Sequence, residues 1–489
     1  MLLKIYIITV LYMLLHQSEV DCKINKHVIC YHGTWSTYRS SYGKFDVSNI
    51  DPFLCTHLMY AFFGIEESGD LRIIDPYLDL EDNYGRGNIK KFNALKLKNP
   101  TLKTLAAVGG WNEGSKNFSI VAGDANKRAR FVKSVVSFLQ RHGFDGLDLD
   151  WEYPLQRHNL TTQDDRNNYI TLLRELKEGL DPFNYLLTAA VGSAEFSASL
   201  SYNIPEVSKY LDIISVMAYD LHGPWDDVIG INAPLYGGNS DKTKREKQLN
   251  VDAIIKYWLS KGAPSDKLVL GIPFYGRSFT LENAEKHTPG SPHLGRGIAG
   301  QYSVEPGVIG YNELCEKMQS ERWHEEWESE QMVPYAYQGR QWVGYENLNS
   351  IKLKADYVME KNLAGIMIWS IESDDFRGQC GEEKFPLLKQ VNKILFGLTA
   401  TGMTEATSKI QNLSTTDANK DNKGISGTDG SSTFIFKCEG QNGYVRSQYD
   451  CSKFYYCDPN DNSFSFECPH GLYFDLESIS CNYADQVKC

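Results

Sequence analysis

Residues 144–154, FDGLDLDWEYP, place four carboxyl side chains within one short stretch. In an extended strand, alternate side chains point to opposite faces. Asp148, Asp150 and Glu152 are therefore predicted to share one face, and the apolar residues between them cover the other. Like charges this close cannot all ionise at low cost, so at least one carboxyl is predicted to have a raised pKa. A Glu152 that stays protonated at neutral pH could act as a proton donor.

Two alternatives are open for this acidic row, namely a solvated loop and a divalent-metal cluster. The interleaved Leu147, Leu149 and Trp151 argue against a solvated loop. The absence of a nearby histidine and the Gly, Trp and Tyr-Pro neighbours argue against a metal cluster. We therefore predict a site with no metal and no cofactor.

Short apolar runs, many of them rich in β-branched residues, recur on both sides of this stretch. They lie at 27–33, 57–65, 104–110, 146–150, 185–191, 212–220, 268–276 and 365–371. Such continuous hydrophobicity is typical of parallel strands covered on both faces. Helical patterns between them, such as 127–143, end at glycine. The alternation predicts an α/β fold, the TIM (β/α)8 barrel, with the acidic face climbing towards the C-terminal rim where active sites of this fold lie.

The rest of the chain is predicted to form four further segments. Residues 1–21 have an early lysine and an apolar run too short to span a bilayer, which favours a signal peptide over a membrane anchor. Within the barrel region, 22–397, the interval 277–348 is predicted to be an inserted α+β subdomain. Residues 398–434 are rich in Thr, Ser, Asp, Asn and Gly, which is typical of a flexible linker. Residues 435–489 hold six cysteines, which predicts a small disulfide-rich domain.

Composition narrows the class of partner. With 50 basic and 62 acidic residues, the chain has a net charge of -12, which argues against a nucleic-acid partner. Eleven cysteines and the N-terminal segment predict a secreted, extracellular protein, and we expect a monomer. In that compartment Asn117, Asn159 and Asn412 are candidate glycosylation sites, because each begins an N-x-S/T sequon.

The acidic stretch matches the DGxDxDWE pattern and resembles the signature of family 18 glycoside hydrolases, the chitinases. The resemblance extends from about His27 to Phe396 through KTLAAVGGWN, VMAYDLHGPW, GIPFYGRSF and GIMIWSIESDDF, in the family's order. It implies a barrel that carries an inserted subdomain. It also implies an enzyme that hydrolyses β-1,4 links between N-acetylglucosamine units. It also implies that the substrate's own N-acetyl group is the nucleophile.

The same resemblance implies roles for individual residues. Glu152 would protonate the glycosidic oxygen, Asp150 would orient the acetamide, and Asp148 would share a proton with Asp150. Tyr219 and Asp220 would position the acetamide. Further substrate contacts are implied for Tyr31, Trp35, Phe62, Asp75, Pro76, Gly109, Gly110, Trp111, Asn112, Tyr153, Met217, Trp225, Arg277 and Trp369. For each aromatic residue among them, core packing is the alternative.

Disulfide pairs are also implied by resemblance. In the barrel these are Cys30 with Cys55 and Cys315 with Cys380, which leaves Cys22 over. The six tail cysteines allow fifteen pairings, and they are Cys438, Cys451, Cys457, Cys468, Cys481 and Cys489.

The tail stretches CSKFYYC and ECPHGLYFD resemble the peritrophin-A type chitin-binding domain of arthropod proteins. This implies first-to-third, second-to-sixth and fourth-to-fifth pairing of the tail cysteines. The tail departs from that pattern at Tyr483 and Ala484, where a Trp-Pro pair is usual. The candidate sugar-contacting residues are Tyr455, Tyr456, Phe464 and Tyr473. A stapled domain without a ligand is the alternative.

We therefore predict a secreted, endo-acting chitinase of arthropod type, whose partners are chitin and chito-oligosaccharides. Two rivals are a chitinase-like lectin that binds without cleaving and an endo-glycosidase that acts on N-linked glycans. Such lectins lose the acid, whereas Glu152 and its aspartates are present here. The chitin-binding tail and the insertion favour the polymer over N-linked glycans.

Overall fold

The structure is a computed structural model that describes residues 26–157, 164–381 and 383–397. In the tail it describes 443–447, 451–457, 463–468, 472–476, 480–483 and 487. The chain divides into two compact units, 1–406 and 407–489. The predicted signal peptide and linker lie outside the described residues, as do Cys22, Asn159, Asn412, Cys438 and Cys489.

The first unit is a closed barrel of eight parallel strands, and the predicted TIM barrel is confirmed. Each strand pairs with its neighbours in chain order, and the last closes on the first. The barrel strands are His27–Gly33, His57–Ile65, Lys103–Gly109, Gly146–Asp150, Leu186–Gly192, Ile213–Met217, Leu268–Pro273 and Gly365–Trp369.

Helices surround the barrel strands. The helix Ala125–His142 has a clear signal at both ends. Asp124 Oδ1 accepts from the backbone N–H groups of Asn126 and Lys127, and Gly143 terminates the helix with φ +75°. The α-helices of this unit are Pro76–Asp79, Asn88–Asn93, Lys116–Gly123, Ala125–His142, Asp165–Leu180, Glu195–Ser201, Ile204–Tyr210, Val251–Ser260, Tyr311–Ser320, Leu348–Glu360 and Pro386–Phe396. No helix among the described residues is long and apolar enough to cross a bilayer.

The two faces of the fourth barrel strand separate as predicted. Leu147, Leu149 and Trp151 pack in the large apolar core outside the barrel strands. Asp148 and Asp150 point the other way, into the interior. Asp145 lies at the opposite end of the strand, where its carboxylate accepts from Thr104 N at 2.8 Å and pairs with a lysine. Of the four carboxyls in the stretch, three therefore face the C-terminal rim and one stabilises the far end.

Two predicted strands end three residues earlier than expected, and the eighth ends at Trp369, two residues before residue 371. The sixth barrel strand stops at Met217 rather than residue 220, and Asp220 beyond it has φ +55°, which a strand residue does not adopt. The seventh stops at Pro273, and Tyr275 begins a strand of the insertion. Both changes place residues of the expected strands in the loops above the rim.

The insertion is an antiparallel sheet of six strands with one helix, as predicted. Its strands are Tyr275–Leu281, His293–Arg296, Val308–Gly310, His324–Glu328, Val333–Gln338 and Gln341–Gly344. Phe279, Trp342 and Tyr335 pack in an apolar cluster that Ile229 and Ile231 of the loop after the sixth barrel strand also join. The insertion is thus a folded subdomain attached at the rim of the barrel.

The second unit contains only strands among its described residues. Gly443–Arg446, Lys453–Cys457 and Ser463–Glu467 form an antiparallel sheet, and Leu472–Asp475 and Ser480–Tyr483 form a hairpin. Cys451, Cys457 and Cys468 are disulfide-bonded. Their pairing stays a prediction.

Candidate active site

The fourth barrel strand carries the acidic row to the floor of a cleft. Asp148, Asp150 and Glu152 are all buried. Asp148 accepts hydrogen bonds from Tyr31 Oη and Thr188 Oγ1, each at 2.6 Å. Asp150 Oδ1 is buried and has no hydrogen-bond partner. The row therefore has a satisfied carboxyl at its base and an unsatisfied one above it.

Burial controls the charge of this row. Burial raises the pKa of Asp148 to about 6, although the hydrogen bonds from Thr188 and Tyr31 lower it. Burial, and then the charges of Glu152 and Asp148, raise the pKa of Asp150 well above its usual range. Burial also raises the pKa of Glu152 to about 7. The row therefore retains protons near neutral pH, as the sequence predicts.

A hydrogen-bonded tryptophan fixes the turn that carries Glu152. Trp151 Nε1 donates to Ser115 Oγ at 3.0 Å, and that hydroxyl donates to the Tyr153 carbonyl at 3.0 Å. The Trp151 ring stacks on Phe118 at a centroid distance of 5.4 Å. The backbone on both sides of Glu152 is thereby held against the outer core, which fixes the point from which its side chain enters the cleft.

Tyr219 and Asp220 lie in the loop after the sixth strand, beside the acidic row. Asp220 Oδ1 accepts from Tyr275 Oη and from Arg277 Nε, both at 2.7 Å. Because Tyr275 and Arg277 belong to the first strand of the insertion, Asp220 joins the insertion to the barrel rim. The charge of Asp220 also raises the pKa of Glu152.

Aromatic rings form one side of the cleft floor. Trp369 stacks on Phe62 with centroids 5.7 Å apart, and Tyr31 meets it edge to face at 5.5 Å. Trp35 stacks on Phe62 at 6.3 Å. These four rings make an apolar cluster next to carboxyl groups, and the face of a ring such as Trp369 suits the apolar face of a pyranose ring.

Three tryptophans on the cleft walls are too exposed to be core residues. Trp35 is 44% exposed, Trp111 59% and Trp225 58%. The guanidinium carbon of Arg157 lies 3.3 Å from the ring centroid of Trp111, and that of Arg277 lies 5.1 Å from the ring centroid of Trp225. For these three residues the core-packing alternative is wrong.

The predicted site residues converge on one cleft of about 2150 Å³. Those that line it are Tyr31, Trp35, Phe62, Asp75, Gly109, Trp111, Asn112, Asp150, Glu152, Tyr153, Met217, Tyr219, Asp220, Trp225, Arg277 and Trp369. Tyr31 is almost fully buried, and its hydroxyl is committed to Asp148. Tyr31 therefore holds the Asp148 carboxyl and also closes the floor of the cleft.

Three predicted residues do not line the cleft. Asp148 lies beneath it. Gly110, with φ +84°, leaves room for Phe62, because a Cβ there would come within 2.5 Å of that ring. Pro76 starts the short helix behind Asp75. They support the site from behind.

The first unit matches the sequence model of glycosyl hydrolases family 18 over residues 27–374, more than half of the chain. The chain belongs to glycosyl hydrolase family 18. A second model, the chitin binding Peritrophin-A domain, matches residues 438–489. The predicted glycoside hydrolase with a chitin-binding tail is confirmed.

The proteins similar to this chain include chitinases and a pseudo-chitinase. An endochitinase of Manduca sexta is 38% identical over 391 residues, covering 78% of this chain and 70% of that protein. The crystal structure of a Group IV chitinase of Ostrinia furnacalis is 48% identical with a TM-score of 0.74, covering 76% of this chain and 99% of that one. Human YKL-39, described as a pseudo-chitinase that retains chitooligosaccharide binding, is 36% identical with a TM-score of 0.69, covering 76% and 99%.

Several residues of this family 18 site were missed by sequence reasoning. Thr188 left a signal, because it is the polar residue of an otherwise apolar strand and so had to find a partner inside the barrel. Tyr275 lies within 268–276, which the sequence predicts to be a barrel strand, but it belongs to the first strand of the insertion. Ser115 and Arg157 left no signal, since only the folded chain brings them to the turn around Glu152.

The barrel disulfides join Cys30 to Cys55 and Cys315 to Cys380, the pairs that the resemblance implies. Asn117 is half-buried within a helix, and its Nδ2 donates to the Ile65 carbonyl at 2.8 Å. A glycan would attach to that same nitrogen, so this contact argues against Asn117 as an acceptor.

Proposed function

We propose that this protein is a secreted, endo-acting chitinase that cleaves β-1,4 links of N-acetylglucosamine polymers with retention of configuration. The observation that carries the proposal is the pair formed by Glu152 and Asp150. Glu152 has a pKa raised to about 7, and the neighbouring Asp150 has a buried oxygen without a partner. One group can give a proton, and the other lacks the donor that a substrate N–H would supply.

The first step breaks the glycosidic bond. Glu152 donates its proton to the glycosidic oxygen, and the bond from that oxygen to the anomeric carbon breaks. The acetamide carbonyl oxygen of the same sugar bonds to the anomeric carbon and gives an oxazolinium-like intermediate. Asp150 Oδ1 accepts the acetamide N–H and stabilises the positive charge, while Tyr219 and Asp220 orient the acetamide.

The second step restores the enzyme. Glu152, now ionised, takes a proton from an incoming water, whose oxygen bonds to the anomeric carbon as the ring of the intermediate opens. Attack from the face that the leaving group occupied gives the β-anomer. Asp148, held by Tyr31 and Thr188, shares a proton with Asp150 and adjusts its charge between the two steps.

The shape of the cleft supports endo action on a polymer. Trp35 and Trp225 are exposed platforms that line the same cleft as Glu152, and we place sugars on both. A cleft of about 2150 Å³ holds several sugar units.

We propose a monomer without a membrane anchor, secreted by means of residues 1–21, with Tyr455 and Tyr473 as tail contacts. The side chains of Tyr456 and Phe464 lie outside the described residues.

Replacing Glu152 by glutamine tests the proposal. The variant keeps the side-chain shape and loses the transferable proton, so kcat on a chitin tetramer should fall by at least about 10³-fold with the affinity for sugar retained. The matched control is Glu178→Gln, an exposed glutamate on the outer helix Asp165–Leu180, which should retain turnover within about threefold. A Glu152→Gln variant with a tenth of the original activity would contradict the assignment.

The lectin alternative predicts a different result. Human YKL-39 shows that this fold can bind chitooligosaccharides as a pseudo-chitinase. A lectin would bind the tetramer without releasing shorter products. Product analysis of the unaltered chain therefore separates the two, and we expect dimers and trimers to accumulate.

A further inference from the structure

Glu372 is a fully buried carboxyl that the proposed mechanism does not use. It lies in the short turn Ile371–Ser373, just after the last barrel strand, and is 0% exposed. Its Oε1 accepts from Ser370 Oγ at 2.6 Å, and its Oε2 accepts from the Gly33 backbone N–H at 3.2 Å. One carboxylate thus bonds to two separate parts of the chain.

Those two parts carry the aromatic floor. Ser370 follows Trp369 directly, and Gly33 ends the first barrel strand immediately before the turn Thr34–Tyr38 that holds Trp35. The rings of Trp35 and Trp369 lie 6.0 Å apart. Glu372 therefore links the side-chain hydroxyl of Ser370, next to one ring, to the backbone N–H of Gly33, next to the other, where the barrel closes.

The packing around Glu372 leaves little freedom. A Cβ on Gly33 would lie 2.6 Å from Glu372 Oε1 and 2.6 Å from the Trp35 ring. Glu372 O accepts from Asn312 Nδ2 of the insertion at 3.3 Å. Burial raises the pKa of Glu372, but His32, whose Nδ1 lies 4.0 Å from the carboxylate, and the charge of Arg39 outweigh burial and hold the pKa below its usual value. The carboxyl is therefore an ionised acceptor for both donors.

We propose that Glu372 is a positioning residue for substrate binding, which fixes Trp35 and Trp369 relative to each other so that both rings can contact one sugar chain. This inference rests on the proposed function, in which these rings bind sugars. It differs from a purely structural role, because loss of the bridge should weaken sugar binding beyond any loss of stability.

The chain offers a matched control two residues away. Asp374 is also 0% exposed, and its carboxylate accepts from the backbone N–H groups of Leu387, Leu388 and Asp375 at 2.8–3.3 Å. These bonds hold the start of the helix Pro386–Phe396, and none of them involves Gly33 or Ser370. A variant at Asp374 should lower the melting temperature without changing the floor.

The experiment measures the Kd for a chitin tetramer by calorimetry in full-length chains that carry Glu152→Gln. Glu372→Ala removes both hydrogen bonds and should raise the Kd at least tenfold. Glu372→Gln can still accept from Gly33 and donate to Ser370 Oγ, so it should stay within threefold of the parent. Asp374→Ala should also stay within threefold.

Equal Kd values for Glu372→Ala and its parent, or an equal loss in Asp374→Ala, would overturn the inference. If Glu372→Ala does not fold, Ser370→Ala decides: a Kd at least threefold higher supports the bridge, and an unchanged Kd refutes it. Tetramer cleavage by the unaltered chain is assayed alongside. Absent cleavage contradicts the proposed function, whereas unchanged affinity contradicts only the role of Glu372.

Discussion

Two charges act on Glu152 in opposite directions. Burial makes the largest contribution to its raised pKa, Asp220 raises the pKa further, and Arg157 lowers it. Arg157 Nη1 also donates to the Glu152 carbonyl at 3.2 Å. In the proposed mechanism Glu152 must be protonated to begin the reaction, so its pKa should set the pH above which kcat/KM declines.

Neutralising Asp220 and neutralising Arg157 should therefore move the alkaline limb of the pH profile of kcat/KM in opposite directions. Asp220→Asn should shift the alkaline limb of the kcat/KM profile to lower pH, and Arg157→Met should shift it to higher pH. The measurement is a pH profile on the tetramer for both variants. Because either change can also lower the rate, only the midpoint of the limb is compared. Shifts of the same sign would contradict the proposed electrostatics.

Two buried carboxyls, those of Glu152 and Asp374, also affect the stability of the fold. The pKa of Glu152 and that of Asp374 are each raised to about 7 mainly by burial, so the folded chain holds protons that the unfolded chain has released. Their contribution is fully present below the unfolded pKa of about 4 and is lost as the pH rises through about 7. Denaturant titrations should show the free energy of unfolding decreasing across this window. In the Glu152→Gln variant the free energy of unfolding should decrease less steeply with pH. A slope equal to that of the unaltered chain would contradict the raised pKa of Glu152.

At the scale of elements, the strands were predictable because burial on both faces leaves a continuous apolar signal. The carboxylate row was predictable because period-two alternation is a local property of the chain. The left-handed conformation of Asp220 beyond the sixth strand was not predictable, since Asp220 contacts Asn232, Tyr275 and Arg277, which lie far along the chain. The Glu372 bridge was equally hidden, because it joins residues 339 apart in sequence.

Element boundaries also give a stability prediction away from the site. Asn347 caps the helix Leu348–Glu360 by accepting from Asn349 N at 3.0 Å and Ser350 N at 3.1 Å. Asn347→Ala should lower the free energy of unfolding by about 1 kcal/mol and leave kcat/KM on the tetramer unchanged. Asn347→Ser, which can still cap and adds no charge beside Glu325, is the control. Loss of activity with unchanged stability would contradict the assignment of a structural role.

At the scale of the molecule, the two units are predicted to act separately. Removing residues 434–489 should leave the barrel folded, because its core and disulfides lie within the first unit. A tethered binding domain raises the local enzyme concentration at a chitin surface. Truncation should therefore reduce adsorption to chitin particles, while kcat/KM on the tetramer changes less than about threefold. Undiminished adsorption would show that the tail is not the chitin-binding module.

The central claim is that the acetamide of the substrate, assisted by Asp150 and Glu152, attacks the anomeric carbon. Proton NMR of the product released in the first moments of tetramer hydrolysis tests this most directly, because it reports the configuration before mutarotation. The mechanism predicts the β-anomer from the β-linked substrate. An initial α-anomer would mean direct attack by water from the opposite face and would contradict the account.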